Sequence, residues 1–191
     1  VDTEIELIAT LHDFKSGKFS QNQSFPFEMN GAYKYIDSTG YQEIKDWKID
    51  HDKIQMEVNG HIKKIESNPW MDIEMKWRNG DPQFIKSILP AQSIRNWNDY
   101  ELSGKTSGNM QVKGISSSKE SPHIVMAAEL KSGSIKLPDG AGQLKNVVLN
   151  LHYNSGEPKE KKDAYFSANL HNASYQGNDL KGEMRLDNLS K

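Results

Sequence analysis

Apolar and polar residues alternate with a period of two along most of this chain of 191 residues. The cleanest stretch is 71–78, where Met, Ile, Met and Trp occupy the odd positions and charged residues the even ones. The same alternation occurs in 4–9, 54–59, 102–113, 147–151 and 164–171. Because successive side chains on a strand point to opposite faces, each of these segments predicts a strand with one apolar face that avoids water (the dry face) and one polar face exposed to solvent (the wet face).

One segment departs from this period and predicts a short α-helix near 81–94. Asp81 is a good N-cap and Pro82 suits the first helical position, and apolar residues follow at 84, 85, 88 and 89. Pro90 is expected to end or kink the helix after about two turns. One such helix is too small to cover the dry faces of about ten strands.

The sheet must therefore cover itself, and this requirement limits the possible folds. We expect a mainly β protein with a strongly curled antiparallel sheet, as an open groove, a half-barrel or a sandwich-like arrangement. The length suits a single β-rich domain over 1–191, with a possible subdivision into 1–114, the sheet plus the helix, and 115–191, the continuing hairpins.

Composition excludes several classes of function. A net charge of −2, from 24 basic and 26 acidic residues, leaves no basic surface for nucleic acid. The absence of Cys excludes disulfides and thiol chemistry. The chain also contains no run of about 18 apolar residues, the length that a helix needs to span a bilayer. The chain starts at Val1 without a signal-like segment, which is typical of a mature or excised piece of a longer protein.

The sequence contains no recognisable catalytic or cofactor motif, so we expect a protein that is not an enzyme and has no cofactor. No Gly-x-Ser-x-Gly elbow, phosphate-binding glycine loop or paired-carboxylate site occurs. Asp50, His51 and Asp52 offer metal ligands, but adjacent residues seldom converge on one ion, so a hairpin turn is the preferred interpretation and no metal site is predicted.

The dry positions of the strands are the candidate binding residues. An apolar trough left open to water is expected to hold a ligand, and lipid or acyl chains are the chemistry that fits it. For any single residue, ordinary core packing explains the same pattern. The candidates for a lipid-binding groove are Ile54, Met56, Val58, Ile73, Met75, Leu149, Leu151, Phe166 and Leu170.

A short internal similarity links two stretches that lie 100 residues apart. Residues 40–49 and 140–149 both begin with Gly. In each, an apolar residue, a Lys, an Asp or Asn, and another apolar residue follow in that order at the fifth to eighth positions. We interpret the similarity as repeated hairpin construction rather than as a duplicated domain.

The order of motifs in the second half resembles the AsmA-like family of outer-membrane biogenesis proteins, whose relatives include TamB and YhdP. The residues that carry the resemblance are Trp97–Gly114 after a helix ending in Leu-Pro, then 133–138, 144–151 and 178–189. It implies an interior or truncated segment of a periplasmic β-groove that shields lipids, in a parent chain anchored to a membrane. Envelope proteins are implied as possible partners, and the family supplies no catalytic residues.

Two other functions remain open at this point. One is a β-sandwich carbohydrate- or partner-binding module of the cell envelope, with Trp47, Trp70, Trp77 and Trp97 as a stacking platform. It requires at least two coplanar, exposed Trp side chains on one face. The other is a hydrolase, which requires a cleft with convergent carboxylates or His.

Overall fold

The computed structural model describes residues 2–10, 15–16, 19–20, 28–36, 38–65, 67–83, 100–117, 120–156 and 163–187. Twelve strands and one short 3-10 turn, Pro138–Gly140, are found in these ranges. The strands are β1 (Asp2–Thr10), β2 (Lys15–Ser16), β3 (Phe19–Ser20), β4 (Glu28–Ile36), β5 (Tyr41–His51), β6 (Ile54–Ile65), β7 (Asn68–Gly80), β8 (Glu101–Ile115), β9 (His123–Lys136), β10 (Gln143–Asn154), β11 (Tyr165–Tyr175) and β12 (Asn178–Asp187).

Ten of these strands form one antiparallel sheet in the order β1-β4-β5-β6-β7-β8-β9-β10-β11-β12. From β4 onward each strand pairs with the next in sequence, and β2 and β3 form a separate small hairpin. The sheet is open, with β1 and β12 at its edges in the described part of the chain. The prediction of a mainly β protein built on one antiparallel sheet is confirmed, and the described sheet is not closed, which is consistent with the open groove among the predicted arrangements.

The predicted helix can be compared with the structure only at its first residues. Pro82 and Gln83 have helical backbone, and the Asp81 carboxylate accepts a hydrogen bond from the Gln83 N–H at 2.8 Å. This contact is the N-cap that the sequence predicts. The rest of the predicted helix, 84–94, lies outside the described residues.

Register places the apolar positions of β5 to β12 on the same side of the sheet. Directly opposed residues share a face, so a row can be followed from strand to strand. One row contains Trp47, Val58, Met75, Met110, Met126, Tyr153, Phe166 and Leu186. The row next to it contains Ile49, Met56, Trp77, Gly108, Ala128, Leu151, Ala168 and Met184. We call this side the apolar face and the opposite side the polar face.

Four β-bulges keep the apolar residues on this side where simple alternation would turn them away. Asp46, Asn79, Ser132 and Asn146 have left-handed backbone, with φ between 49° and 54°, and each lies at a shift in register. Each bulge adds one residue, so the next apolar side chain returns to the apolar face. Asp and Asn tolerate this conformation better than most residues, because their short polar side chains form local hydrogen bonds.

The most deeply buried side chains lie on the apolar face of β9, β10 and β11. Val147 and Ala173 are 0% exposed and pack with Leu130. Partly buried neighbours surround this cluster and include Leu149 and Leu170. This end of the sheet therefore has a small core made from one face of three adjacent strands.

Candidate binding surfaces

All nine residues predicted to line a lipid-binding groove lie on the apolar face. Ile54 and Val58 are buried, and the other seven are half-buried. Leu149 and Leu170 pack against the Val147 cluster and therefore contribute to the core. Ile73 and Met75, on the central strand β7, lie outside that cluster and form part of a broad apolar surface.

All seven methionines of the chain lie on the apolar face. Met75, Met110 and Met126 are direct neighbours across β7, β8 and β9. Met29 and Met56 flank Ile49, and the remaining two, Met71 and Met184, follow the same parity. Because Met has an unbranched, polarisable side chain, a surface rich in Met adapts to ligands of different shape.

Two tryptophans lie flat on the apolar face across glycines of neighbouring strands. A Cβ at Gly31 would be 2.0 Å from Trp47, and one at Gly108 would be 2.4 Å from Trp77, so only glycine admits these rings. The Trp47 indole N–H donates to the Ala32 carbonyl at 3.1 Å. The Trp77 Nε1 atom is buried and has no acceptor among the described residues.

The described strands belong to one ten-stranded sheet and one small hairpin, and the apolar-face side chains of β5 to β11 are buried or half-buried. The close backbone contacts of each described strand are with the strands hydrogen-bonded to it. The apolar face is therefore a broad surface formed by a single sheet. Its width across ten strands is about 43 Å, at roughly 4.8 Å per strand spacing.

The polar face has a groove of about 730 Å³ that crosses six consecutive strands, β5 to β10. Its walls are two rows of polar-face residues, which include Lys48, Glu57 and Lys76 on one side and Gln55, Arg78 and Glu129 on the other. Residues of apolar-face parity between these rows, such as Gly108, line the groove from below. The sequence did not predict this groove, because its walls become aligned only through the register of six strands.

The charges of this groove balance one another. Three basic side chains, Lys48, Lys76 and Arg78, line it together with three acidic ones, Asp50, Glu57 and Glu129. Arg78 Nη2 contacts Glu57 Oε1 at 2.5 Å, and Lys131 Nζ lies 3.1 Å from Glu129 Oε2. Such a surface, with no net charge among these six side chains, favours neither an anionic nor a cationic ligand.

The three described tryptophans do not form the platform that a carbohydrate-binding module requires. Trp47 and Trp77 are half-buried on the apolar face, whereas Trp70 lies on the polar face. There, Lys63 Nζ lies 4.4 Å from the Trp70 ring centroid, and His61 packs between Trp70 and Tyr41. The fourth tryptophan, Trp97, lies outside the described residues.

The Asp50-His51-Asp52 sequence leads into the predicted hairpin turn, whose turn residues are Asp52 and Lys53. β5 ends at His51, β6 begins at Ile54, and the Lys53 N–H donates to His51 Nδ1 at 2.9 Å. Within the described ranges, no three His, Asp or Glu side chains are grouped as metal ligands.

One carboxyl group on the polar face has a clearly shifted pKa. Lys113 Nζ lies 2.7 Å from Asp72 Oδ2, and this hydrogen bond lowers the pKa of Asp72 below its usual value. Partial burial opposes the shift, and the Gln111 amide, which donates to Asp72 Oδ1 at 3.1 Å, adds to it. This group links β7 to β8 on the wet side of the sheet and is not part of the six-strand groove.

The described residues include no helix that is both long enough and apolar enough to cross a membrane. Comparison of the chain with protein-family models, with curated proteins and with solved structures gives no significant match.

Proposed function

We propose that this chain is a non-enzymatic segment that binds lipid acyl chains on its apolar face. The observation that carries the proposal is the apolar face that register aligns across β5 to β12, where most of the candidate side chains are half-buried rather than fully buried. Exposed apolar area costs about 25 cal/mol per Å², so such a surface is stabilised by any apolar ligand that covers it. Acyl chains suit it because they need no fixed hydrogen-bonding partners.

The distribution of side chains on this face supports a lipid over a ligand of one defined shape. The seven methionines make the surface adaptable, and the glycines beside Trp47 and Trp77 let these rings lie close to the backbone of the sheet. Each methylene group of an acyl chain that leaves water contributes about 0.8 kcal/mol, so affinity accumulates along the chain without a specific pocket. The polar groove, whose six charged side chains balance one another, offers no comparable apolar driving force.

The cellular setting that we propose is the periplasm, in a parent chain anchored to a membrane. The support for this setting is the AsmA-like order of motifs in 97–189, together with the open antiparallel sheet that such a segment requires. In that setting the chain acts in outer-membrane assembly or in lipid transport. Envelope proteins are the protein partners that this role implies.

Two neighbouring residues of β6 provide a matched test of acyl-chain binding. Met56 lies on the apolar face and Gln55 on the polar face, and both are half-buried. Met56→Glu and Gln55→Glu each add one negative charge at almost the same place in the sequence. We expect Met56→Glu to weaken binding of a fluorescent long-chain fatty acid at least tenfold, because the charge must be desolvated beneath the ligand. We expect Gln55→Glu to bind like the parent chain.

Native mass spectrometry of the purified chain, mixed with phosphatidylethanolamine and phosphatidylglycerol, provides a second readout. Bound phospholipid on the parent chain and on Gln55→Glu, but not on Met56→Glu, supports the proposal. Far-UV circular dichroism must show that both variants retain the sheet. Absence of binding by the folded parent chain, or equal binding by the two variants, refutes it.

A further inference from the structure

The edge strand β12 differs from the interior strands in its exposure. Every residue of β12 is exposed, including Leu180 at 38%, Met184 at 49% and Leu186 at 48%. These three side chains continue the apolar rows of the sheet to its edge. An edge strand also presents unpaired N–H and C=O groups to any strand that approaches it.

The polar side of β12 carries charges that alternate in sign. Asp179, Lys181, Glu183, Arg185 and Asp187 occupy every second position. Arg185 Nε contacts Asp187 Oδ1 of the same strand at 2.9 Å. Lys181 and Glu183 have no ion-pair partner among the described residues.

Charged residues on an edge usually prevent pairing with another strand, because a mismatched charge would be placed beside its equal. An antiparallel copy of β12 avoids this mismatch in the registers centred on residue 182 and on residue 184, and the first opposes the longer stretch of the strand. When residue 179 lies opposite 185, residue 181 lies opposite 183, and every such pair joins opposite charges. Twofold symmetry produces each pair twice.

The same register matches the apolar side of the strand. Leu180 of one copy lies opposite Met184 of the other, so apolar side chains meet on both sides of the axis. Gly182 lies opposite its own copy at the twofold axis, and a Cβ at Gly182 would meet no atom within 4 Å. The centre of the contact is therefore open to a second backbone.

The other edge of the sheet does not offer an equivalent match. β1 has three acidic residues at alternate positions, Asp2, Glu4 and Glu6. Suppose that all three acids lie opposite charged residues of an antiparallel partner strand. If the partner is a second β1 or is β12, at least one acid then faces another acid. β1 therefore lacks the row of complementary charge pairs that two copies of β12 form, and pairing of two β12 edges gives a closed dimer rather than an open filament.

We propose that β12 is a homodimerisation edge, at which two copies pair antiparallel about Gly182. The dimer joins two ten-stranded sheets into one and continues their apolar faces across the axis. This inference does not rest on the proposed binding of lipid, because it follows from the charges and the exposure of β12 alone.

Charge reversal at two positions provides the main test. Lys181→Glu places Glu opposite Glu183, and Glu183→Lys places Lys opposite Lys181, in both cases twice per dimer. We expect each variant to raise the dimer dissociation constant about tenfold or more in sedimentation velocity at low salt, because like charges opposed across strands are destabilising. Mixing the two variants restores opposite charges in every pair, so we expect a heterodimer to form.

The absence of Cys from the chain allows the register to be measured by cross-linking. Gly182→Cys places two thiols at the axis, where we expect rapid formation of a disulfide-linked dimer under mild oxidation. Val125→Cys, which is also exposed but lies on the interior strand β9, is the matched control.

A parent chain that remains monomeric at the highest concentration reached overturns the proposal. Cross-linking of Gly182→Cys no faster than Val125→Cys overturns it as well, as does a mixture of the charge variants that dimerises no better than each alone. None of these results bears on the binding of fatty acid by the monomer, so the two proposals fail separately.

Discussion

Replacing Trp47 and Trp77 by Phe, one at a time, tests whether a buried indole N–H on the apolar face lacks a partner. Both rings are half-buried on the same face, and both cross a glycine of a neighbouring strand. The two substitutions therefore remove similar packing. They differ in hydrogen bonding, because Trp47 donates to the Ala32 carbonyl whereas Trp77 Nε1 has no acceptor among the described residues.

The expected difference in stability can be worked out from these contacts. Trp47→Phe loses a hydrogen bond with a net value of about 0.5–1.5 kcal/mol, and Trp77→Phe removes an unpaired buried donor whose desolvation costs about 1–3 kcal/mol. Trp47→Phe should therefore lower the free energy of unfolding by about 1.5–4.5 kcal/mol more than Trp77→Phe does. At about 2–4 °C per kcal/mol, the melting temperatures of the two variants should differ by at least about 3 °C.

Urea unfolding followed by far-UV circular dichroism is the appropriate assay, because either substitution removes a fluorophore. Equal slopes of unfolding free energy against urea would show that the unfolded states are comparable. A difference below about 0.5 kcal/mol between the variants would refute the reasoning, since a hydrogen bond and an orphaned donor are expected to differ by more.

Three further predictions concern stability. Val147→Ala should cost about 2–3 kcal/mol in urea unfolding, from two buried methyl groups and the cavity they leave, whereas Val148→Ala on the polar face should cost under about 1 kcal/mol. Asn146→Ala should cost about 1–2 kcal/mol at its left-handed position, and Asn146→Gly should be almost neutral in the same assay. Asp72→Asn should lower stability at pH 7 by about 0.5–1 kcal/mol. Because Lys113 lowers the pKa of Asp72, the stabilisation by this pair is present above the unfolded value of 3.8 and is lost as the pH falls through the lowered folded value. A titration of thermal stability in acid should therefore show a flatter profile for Asp72→Asn than for the parent chain.

Strand positions and the composition of the apolar face could be predicted from the sequence, because period-two alternation is a local property. Met71 to Trp77 form the middle of β7, and all nine candidates from Ile54 to Leu170 share one face. Their role in lipid binding remains a prediction, because contact with lipid and packing against neighbours select the same side chains.

The polar groove and the bulges could not be predicted by the same means. The groove depends on which residues of six strands are opposed, and alternation within a strand does not determine register between strands. At the bulges, apolar spacing changes from two residues to three, as between Leu144 and Val147. The available signal was an Asp or Asn directly before the displaced apolar residue, as at Asp46 and Asn146.

The similarity between 40–49 and 140–149 acquires a physical meaning from these bulges. Gly40 and Gly140 both have left-handed backbone before their strands, and Asp46 and Asn146 form equivalent bulges six residues later. The repeated unit is therefore a way of bending a strand while its apolar residues stay on one face. A sheet assembled from such units grows by adding strands at an edge and has no built-in closure. The chemistry of the edge strand therefore decides what the sheet joins, and in β12 that chemistry is an alternating row of charges complementary to its own antiparallel copy.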